Sequence, residues 1–187
     1  KHIGEMPYTS TGILREQVKK EASKNKAKKL YNKLLVTWDE YEKLVTMFHG
    51  GYVHGNRHYL GSNWLKGLIQ GYDFASSYPY IMLTHKFPMT KFSKLEKDVD
   101  IDYILRNKEN HAFMFRLVLV DVKLKDDMFG MPPLQFSKCK SLNDVTDNGR
   151  IIAAQFLELN TNEIDYKLID KYYTWDKEHS VIFNVKT

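Results

Sequence analysis

The sequence predicts an α+β fold in which helices flank a mostly antiparallel sheet. HAFMFRLVLVDVKL has the β-branched content and alternation of a long strand, and IIAAQFLEL reads as another strand. Helical segments lie before, between and after these runs without regular βαβ alternation, which favours antiparallel pairing. The chain has 187 residues and 43% hydrophobic residues, enough to fill a core.

The N-terminal segment is predicted to form a basic amphipathic helix. ILREQVKKEASKNKAKKLYNKLL places Ile13, Leu14, Val18 and Ala22 on one stripe, with a break expected near 23–25. Lysines surround this stripe. They fit either contacts along a nucleic-acid backbone or a solvated helix face, and the sequence leaves both readings open.

The next segment is predicted to hold a helix, three strands and a second helix. Thr37 and Glu40 form a capping box, which predicts a helix over 38–48 that ends before Gly50-Gly51. YVHGNRHYL indicates two short strands around a Gly-Asn turn at 55–56. LKGLIQGYDF is predicted as a third strand ending at Asp73, and PYIMLTH as a short helix.

The second half is predicted to alternate irregular stretches with strong strands. Residues 91–110 are expected to be polar and irregular, and 131–150, with Pro132-Pro133 and Asn148-Gly149, a loop-rich excursion. After the strand at 151–159, Asn160 and Glu163 are expected to cap a helix that runs through Tyr172. SVIFNV then closes the chain as a strand.

Composition narrows the classes of function. The chain carries 28 Lys and Arg against 23 Asp and Glu, a net charge of +5 that mildly favours phosphate-bearing partners. One cysteine excludes an internal disulfide and fits a reducing, cytoplasmic setting. The longest apolar run is broken by Arg116 and falls short of the roughly 20 residues of a membrane span, so no membrane partner is expected.

The N-terminus lacks the apolar core of a signal peptide, and because the chain opens with Lys1 we expect it to be an excised piece of a longer protein.

The segment GYDFASSYPYIM places a carboxylate, Asp73, beside the start of a helix. Ser76 or Ser77 is positioned to cap that helix, and the free N–H groups of a helix N-terminus suit phosphate. A carboxylate beside them suits Mg²⁺, which binds one or two carboxylates together with substrate phosphate oxygens. The chemistry alone favours the other interpretation, an aspartate that caps a turn and a tyrosine, Tyr78, that fills the core, because strand–Asp–helix junctions are common.

The amino-acid sequence of this segment resembles a known motif. D-F-A-S-S-Y-P is similar to D-x-x-S-x-Y-P, the first palm motif of family B DNA polymerases, and most closely to the protein-primed class of phages and linear plasmids. Upstream, Phe48-His49-Gly50-Gly51 resembles the Tyr-x-Gly-Gly/Ala element of that family, with Phe in place of Tyr. FLELNTNEIDYKLIDKYY resembles a family segment in which a helix follows a strand, and PYTSTGILRE resembles the connector from the exonuclease domain.

The resemblance implies a role for each matching residue. Asp73 would be one of two carboxylates that hold a catalytic Mg²⁺ pair, with the Phe74 carbonyl as a further ligand. Tyr78 would be the steric gate against ribonucleotides. Ser76 and Ser77 would lie near the triphosphate or the primer end. The residues implied in DNA binding are Phe48, Gly50 and Gly51; the glycines permit close backbone approach, although Gly50 also fits a helix C-cap.

The resemblance also implies a layout. Residues 1–36 would be the connector, 37–90 the start of the palm, 91–155 an inserted terminal-protein region, and 156–187 a strand-helix-strand return to the palm. The implied partners are a DNA primer-template, deoxynucleoside triphosphates and a terminal priming protein. Basic residues of the insertion are candidates for DNA or terminal-protein contacts, or for a solvated surface: Lys123, Lys125, Lys138, Lys140 and Arg150.

Two family elements are missing from the sequence. It contains neither the Asp-Thr-Asp turn that supplies the second carboxylate nor the K-x-x-x-N-S-x-Y-G helix. The nearest imitation, Asp98-Val99-Asp100-Ile101-Asp102, is expected to be an exposed loop. The chain is therefore expected to be inactive alone. The alternative function is a non-catalytic basic module that binds single-stranded nucleic acid or a protein partner.

Two further constellations favour structural roles. His49, His54 and His58 lie close in sequence, but a predicted turn separates the last two and no cysteine joins them, so a zinc site is not favoured. Cys139 has a lysine on each side, which could lower its pKa, but it lacks an evident catalytic partner. A free structural thiol is the favoured interpretation.

Overall fold

A four-stranded antiparallel sheet forms the centre of the fold and confirms the predicted α+β class. The bounds of its strands are β1 Met114–Leu124, β2 Lys140–Asp147, β3 Arg150–Asn162 and β4 Tyr173–Lys186. They follow the order β2-β3-β1-β4 across the sheet, and each of the three pairings is antiparallel. The closing strand is therefore longer than the predicted SVIFNV segment.

The computed structural model describes residues 10–25, 27–51, 53, 67–68, 70–126 and 132–187. The hairpin predicted around 55–56, together with His54 and His58, lies outside these residues. The chain divides into two compact units: Lys1–Thr37 with Met89–Lys91, and Trp38–Pro88 with Phe92–Thr187.

The smaller unit contains the basic helical segment. It forms two helices, α1 (Ser10–Lys24) and α2 (Ala27–Leu34), so the break predicted near 23–25 is confirmed. The apolar stripe residues Ile13, Leu14 and Val18 are all exposed.

Four α-helices accompany the sheet among the described residues of the larger unit. Their bounds are α3 Trp38–Met47, α4 Ser77–Thr84, α5 Ile101–Asn107 and α6 Glu163–Tyr172. The helix predicted over 38–48 and the short helix predicted within 79–85 are confirmed. The predicted boundary between 155 and 156 falls inside β3.

The core lies on one face of the sheet. Alternation along β1 turns Phe115, Leu117 and Leu119 toward it, where they meet Ile104 of α5 and Ile169 of α6. Each of these side chains is at most 2% exposed. Burial of one such side chain stabilises the fold by about 1.5–3 kcal/mol, so this face dominates the stability of the larger unit.

Three segments differ from their predicted secondary structure. Residues 91–110 are not wholly irregular, because α5 forms there; Asp100 caps it by accepting a hydrogen bond from the Tyr103 N–H at 2.7 Å. The loop predicted over 131–150 contains β2, joined to β3 by Asn148 and Gly149, both with positive φ. The described part of 65–74, residues 67–68 and 70–74, is not a strand.

The start of α6 corrects a predicted cap and shows a buried acidic contact. Asn162, not Asn160, caps α6, since its side-chain oxygen accepts hydrogen bonds from the N–H groups of Ile164 and Asp165. Glu163 is buried, and its carboxylate accepts a hydrogen bond from the Phe113 N–H at 2.8 Å. This bond joins α6 to the segment that leads into β1.

Replacement of Glu163 by alanine should destabilise the protein by about 1–3 kcal/mol, because the buried Phe113 N–H loses its acceptor. Glu163→Gln keeps a side-chain oxygen and should lose less. Urea denaturation of both variants measures the difference, with Glu96→Ala, at an exposed position, as the control. Equal losses for Glu163→Ala and Glu96→Ala would show that the Phe113 bond contributes nothing.

Candidate functional site

The carboxylate of Asp73 lies in an exposed, extended segment that leads into α4. The strand predicted to end at Asp73 is wrong for the described residues, since 70–74 adopt neither strand nor helix. Asp73 is exposed, so its side chain is not enclosed in an apolar interior. An exposed carboxylate is accessible to a metal ion or a nucleotide.

The turn before α4 is formed by Ser76 in a left-handed conformation. Ser76 has a φ of 54°, which is uncommon for a residue other than glycine. It occupies the N-cap position, as predicted, but its side chain makes no capping hydrogen bond. The helix begins at Ser77, and Pro79 fits in its first turn because that position needs no N–H donor. The hydroxyl of Ser76 therefore remains available at this helix end.

Aromatic and apolar side chains on and around α4 are exposed. Phe74 is 86% exposed and Tyr78 is 80% exposed, so the alternative reading of Tyr78 as a core residue is wrong. No residue of α4 is buried, although Tyr80, Ile81, Met82 and Leu83 are large and apolar. A helix with this composition is normally covered by other protein.

The described residues do not by themselves form a two-metal site. Among them, no group of three or more His, Cys, Asp and Glu side chains could hold a metal ion. Asp73 supplies one carboxylate and Phe74 one carbonyl, whereas a metal pair needs a second carboxylate. The described residues therefore supply at most half of the ligands of such a metal pair.

Gly50 and Gly51 border a cavity of about 290 Å³, whereas the exposed Phe48 is not part of its lining. Because α3 ends at Met47 and the φ of Gly50 is not positive, the C-cap alternative for Gly50 is wrong. A Cβ atom at Gly50 or Gly51 would meet nothing within 4 Å, so the space above the backbone is open. The other lining residues are Val53, Gln135, Phe136, Ser137, Asn148, Gly149 and Arg150.

Arg150 connects this segment to the sheet. It is only 5% exposed, and its guanidinium donates to the carbonyl oxygens of Pro133 at 2.7 Å and Gly50 at 2.9 Å. Gly50 and Arg150 are 100 residues apart in sequence, so no local pattern could have predicted this contact.

His49 lies in the same positively charged environment. Its Nδ1 accepts a hydrogen bond from the Gln135 N–H at 3.3 Å, which requires the neutral ring. Burial, followed by the charges of Arg150 and Lys138, lowers the pKa of His49 to about 4. This neighbourhood therefore disfavours a positive charge on the His49 ring.

The five basic candidates of residues 91–155 fall into two groups. Lys125 donates to the carbonyls of Asp170 and Lys171 at the end of α6, and Lys138 donates to the Val45 carbonyl of α3. With Arg150, these side chains have structural contacts. Lys123 is exposed, and Lys140, 77% exposed, lies 3.7 Å from Glu158. These two remain surface charges.

Cys139 fits the interpretation of a structural thiol. Burial raises its pKa to about 12, so the flanking lysines do not create a thiolate at neutral pH.

Among the part of the chain that the structure describes, no helix has the length and apolar character needed to cross a lipid bilayer.

The His49 environment should make stability depend on pH. The unfolded chain binds a proton near pH 6.5 and the folded chain only near 4, so stability should fall as the pH drops through this window. His49→Asn keeps an acceptor without a titrating ring and should flatten the decline in urea-denaturation series. His85→Asn, at an exposed position, is the matched control. A decline of equal steepness in wild type and His49→Asn would contradict the assignment.

The chain was compared with protein-family models, curated proteins and solved structures, and none of these searches found a match.

Proposed function

We propose that this chain is part of a family B DNA-directed DNA polymerase that adds deoxynucleotides to a protein or DNA primer. The segment that carries the proposal is D-F-A-S-S-Y-P, residues 73–79. In this reading Asp73 is one of two carboxylates that hold Mg²⁺, and the second carboxylate comes from outside the described residues.

The observation that best supports the proposal is the exposure of this motif. The Asp73 carboxylate is exposed directly before the apolar helix α4, none of whose residues is buried. Half of a catalytic site would have this form. Its metal-binding carboxylate would be accessible, and the adjoining apolar helix would be covered by the rest of the palm domain in the complete protein.

The proposed partners follow from the same reading. Tyr78 would contact the sugar of a deoxynucleoside triphosphate, Ser76 and Ser77 would lie near its phosphates or the primer end, and Phe48, Gly50 and Gly51 would contact the primer-template. A terminal priming protein would contact the region from 91 to 155. The setting would be the cytoplasm of a host cell.

The second candidate is a non-catalytic module that binds single-stranded nucleic acid or a protein. The exposed rings of Phe74 and Tyr78 favour it, because exposed aromatic side chains stack on bases. Coding sequence that follows Thr187 separates the two. The polymerase requires an Asp-Thr-Asp turn and a K-x-x-x-N-S-x-Y-G helix there, whereas a stop codon or an unrelated domain would favour the module.

Asp73→Asn in the full-length protein should lower primer extension by several orders of magnitude, because the amide cannot supply the metal-binding charge. Binding of primer-template should change little, since the side chain is exposed and the substitution preserves its shape. Asp98→Asn, at another exposed position, is the matched control and should extend normally. Full extension by Asp73→Asn would refute the polymerase assignment.

Tyr78→Val should admit ribonucleotides, because a smaller side chain leaves room for the 2′-hydroxyl. The ratio of deoxynucleotide to ribonucleotide incorporation should fall markedly while deoxynucleotide incorporation persists. Tyr80→Val, on the same exposed helix, tests whether the effect belongs to position 78. Unchanged sugar discrimination in Tyr78→Val would remove the gate assignment.

A further inference from the structure

A second cavity, of about 340 Å³, is lined by α3 and the adjoining ends of β1 and β4. Its volume lies within the roughly 300–1,000 Å³ range of small-ligand pockets. None of its charged side chains belongs to a site predicted from the sequence. The lining residues are Asp39, Lys43, Lys94, Met114, Phe115, Arg116, Asn160, Asn184 and Lys186.

The charged lining is mostly cationic, with four basic side chains and one carboxylate. Two of the cations have acidic partners: Lys43 lies 2.6 Å from Asp39, and Arg116 lies 3.2 Å from Glu158. The hydrogen bond from Lys43, and more weakly the charges of Lys43 and Lys186, lower the pKa of Asp39 and so keep it ionised.

The other two cations, Lys94 and Lys186, are placed directly opposite each other. They form an antiparallel bridge, flanked by reciprocal backbone hydrogen bonds of 2.8 and 2.9 Å between Ser93 and Thr187. Within the described residues, neither has an acidic group within 4 Å of its ammonium. Like charges directly opposite across strands are destabilising, and a bound anion would remove that repulsion.

Neutral donors complete the lining. Asn184 has a φ of 54° where the pairing of β1 with β4 shifts register, and it is exposed at the cavity. Asn160 lines the cavity and uses one of its two amide hydrogens to bond Thr46 Oγ at 2.9 Å. Ammonium, guanidinium and amide donors together suit an anion with several oxygens, as phosphate has.

We propose that this cavity binds a backbone phosphate of a single nucleic-acid strand, with Lys94 and Lys186 as the direct contacts. Arg116 and Asn184 supply further donors at the wall. The phosphate chemistry rests on the cavity itself, whereas the choice of a nucleic acid as its source rests on the proposed function.

The test measures binding of a short fluorescent single-stranded oligonucleotide by the 187-residue chain over a range of salt concentrations. The double variant Lys94→Gln/Lys186→Gln should bind roughly tenfold more weakly at low salt. The slope of log K against log salt should shrink by about 0.7 for each lysine that contacts a phosphate. Lys94→Arg/Lys186→Arg keeps both charges and should retain most of the affinity.

The matched control is Lys97→Gln/Lys171→Gln, which removes the same charge at two exposed positions away from the cavity. An equal loss in both double variants, or no loss in either, would overturn the proposal. Competition identifies the source of the anion. If inorganic phosphate or polyglutamate displaces the oligonucleotide at equal concentrations of anionic groups, the nucleic-acid assignment is wrong.

Thermal unfolding gives an independent readout. Without ligand, Lys94→Gln should raise the unfolding temperature, because it removes the repulsion with Lys186. The oligonucleotide should stabilise the wild type more than this variant; equal stabilisation would overturn the proposal. None of these measurements involves Asp73. If Asp73→Asn extends primers normally, the polymerase assignment is refuted but the phosphate site is not. If the lysine variants bind the oligonucleotide normally, the phosphate site is refuted but the polymerase assignment is not.

Discussion

Both cavities depend on the packing of α3 against the sheet. Three long-range hydrogen bonds hold it there. Asn160 donates to Thr46, Lys138 donates to the Val45 carbonyl, and Arg150 donates to the Gly50 carbonyl just beyond the helix. All three donors come from β3 or the turn that precedes β2, so the second half of the chain fixes a helix of the first half. The C-terminal end of α3 leads into the Gly50-Gly51 cavity, and the helix supplies Asp39 and Lys43 to the other cavity.

The larger unit combines two regions of different character. The sheet and its core bury side chains such as Leu119 and Leu157 completely, whereas residues 70–88 are exposed throughout. A helix of eight residues is marginal on its own in water, and an apolar one gains little until another surface covers it. The carboxylate of Asp73 has the opposite requirement, since it must stay accessible to bind a metal ion. The junction is therefore suited to completion by other protein that covers α4 and leaves Asp73 open.

The success of the sequence predictions followed the strength of the local signals. The helix at α3 was predictable from its capping box, and β1 and β3 from apolar alternation in long segments. The edge strand β2 is polar and mostly exposed, so it lacks that alternation, although the Asn148-Gly149 dipeptide marks a hairpin there. The short helix α5 was missed because its seven residues bury only Ile104, even though Asp100 is a good N-cap. The prediction of a strand that ends at Asp73 was wrong because a short run of apolar residues does not distinguish a strand from an exposed irregular segment.

The two candidate sites also differ in whether local sequence can reveal them. Asp73, Ser76 and Tyr78 lie within seven consecutive positions of the chain, so local sequence suffices to propose their chemistry. The lining of the phosphate cavity comes from positions as far apart as Asp39 and Lys186, and nothing local in either segment marks it. Lys94 and Lys186 become neighbours only because the chain after α4 pairs with the end of β4. A site formed by strand pairing is visible only after folding, since the bridge that places Lys94 opposite Lys186 joins positions 92 residues apart.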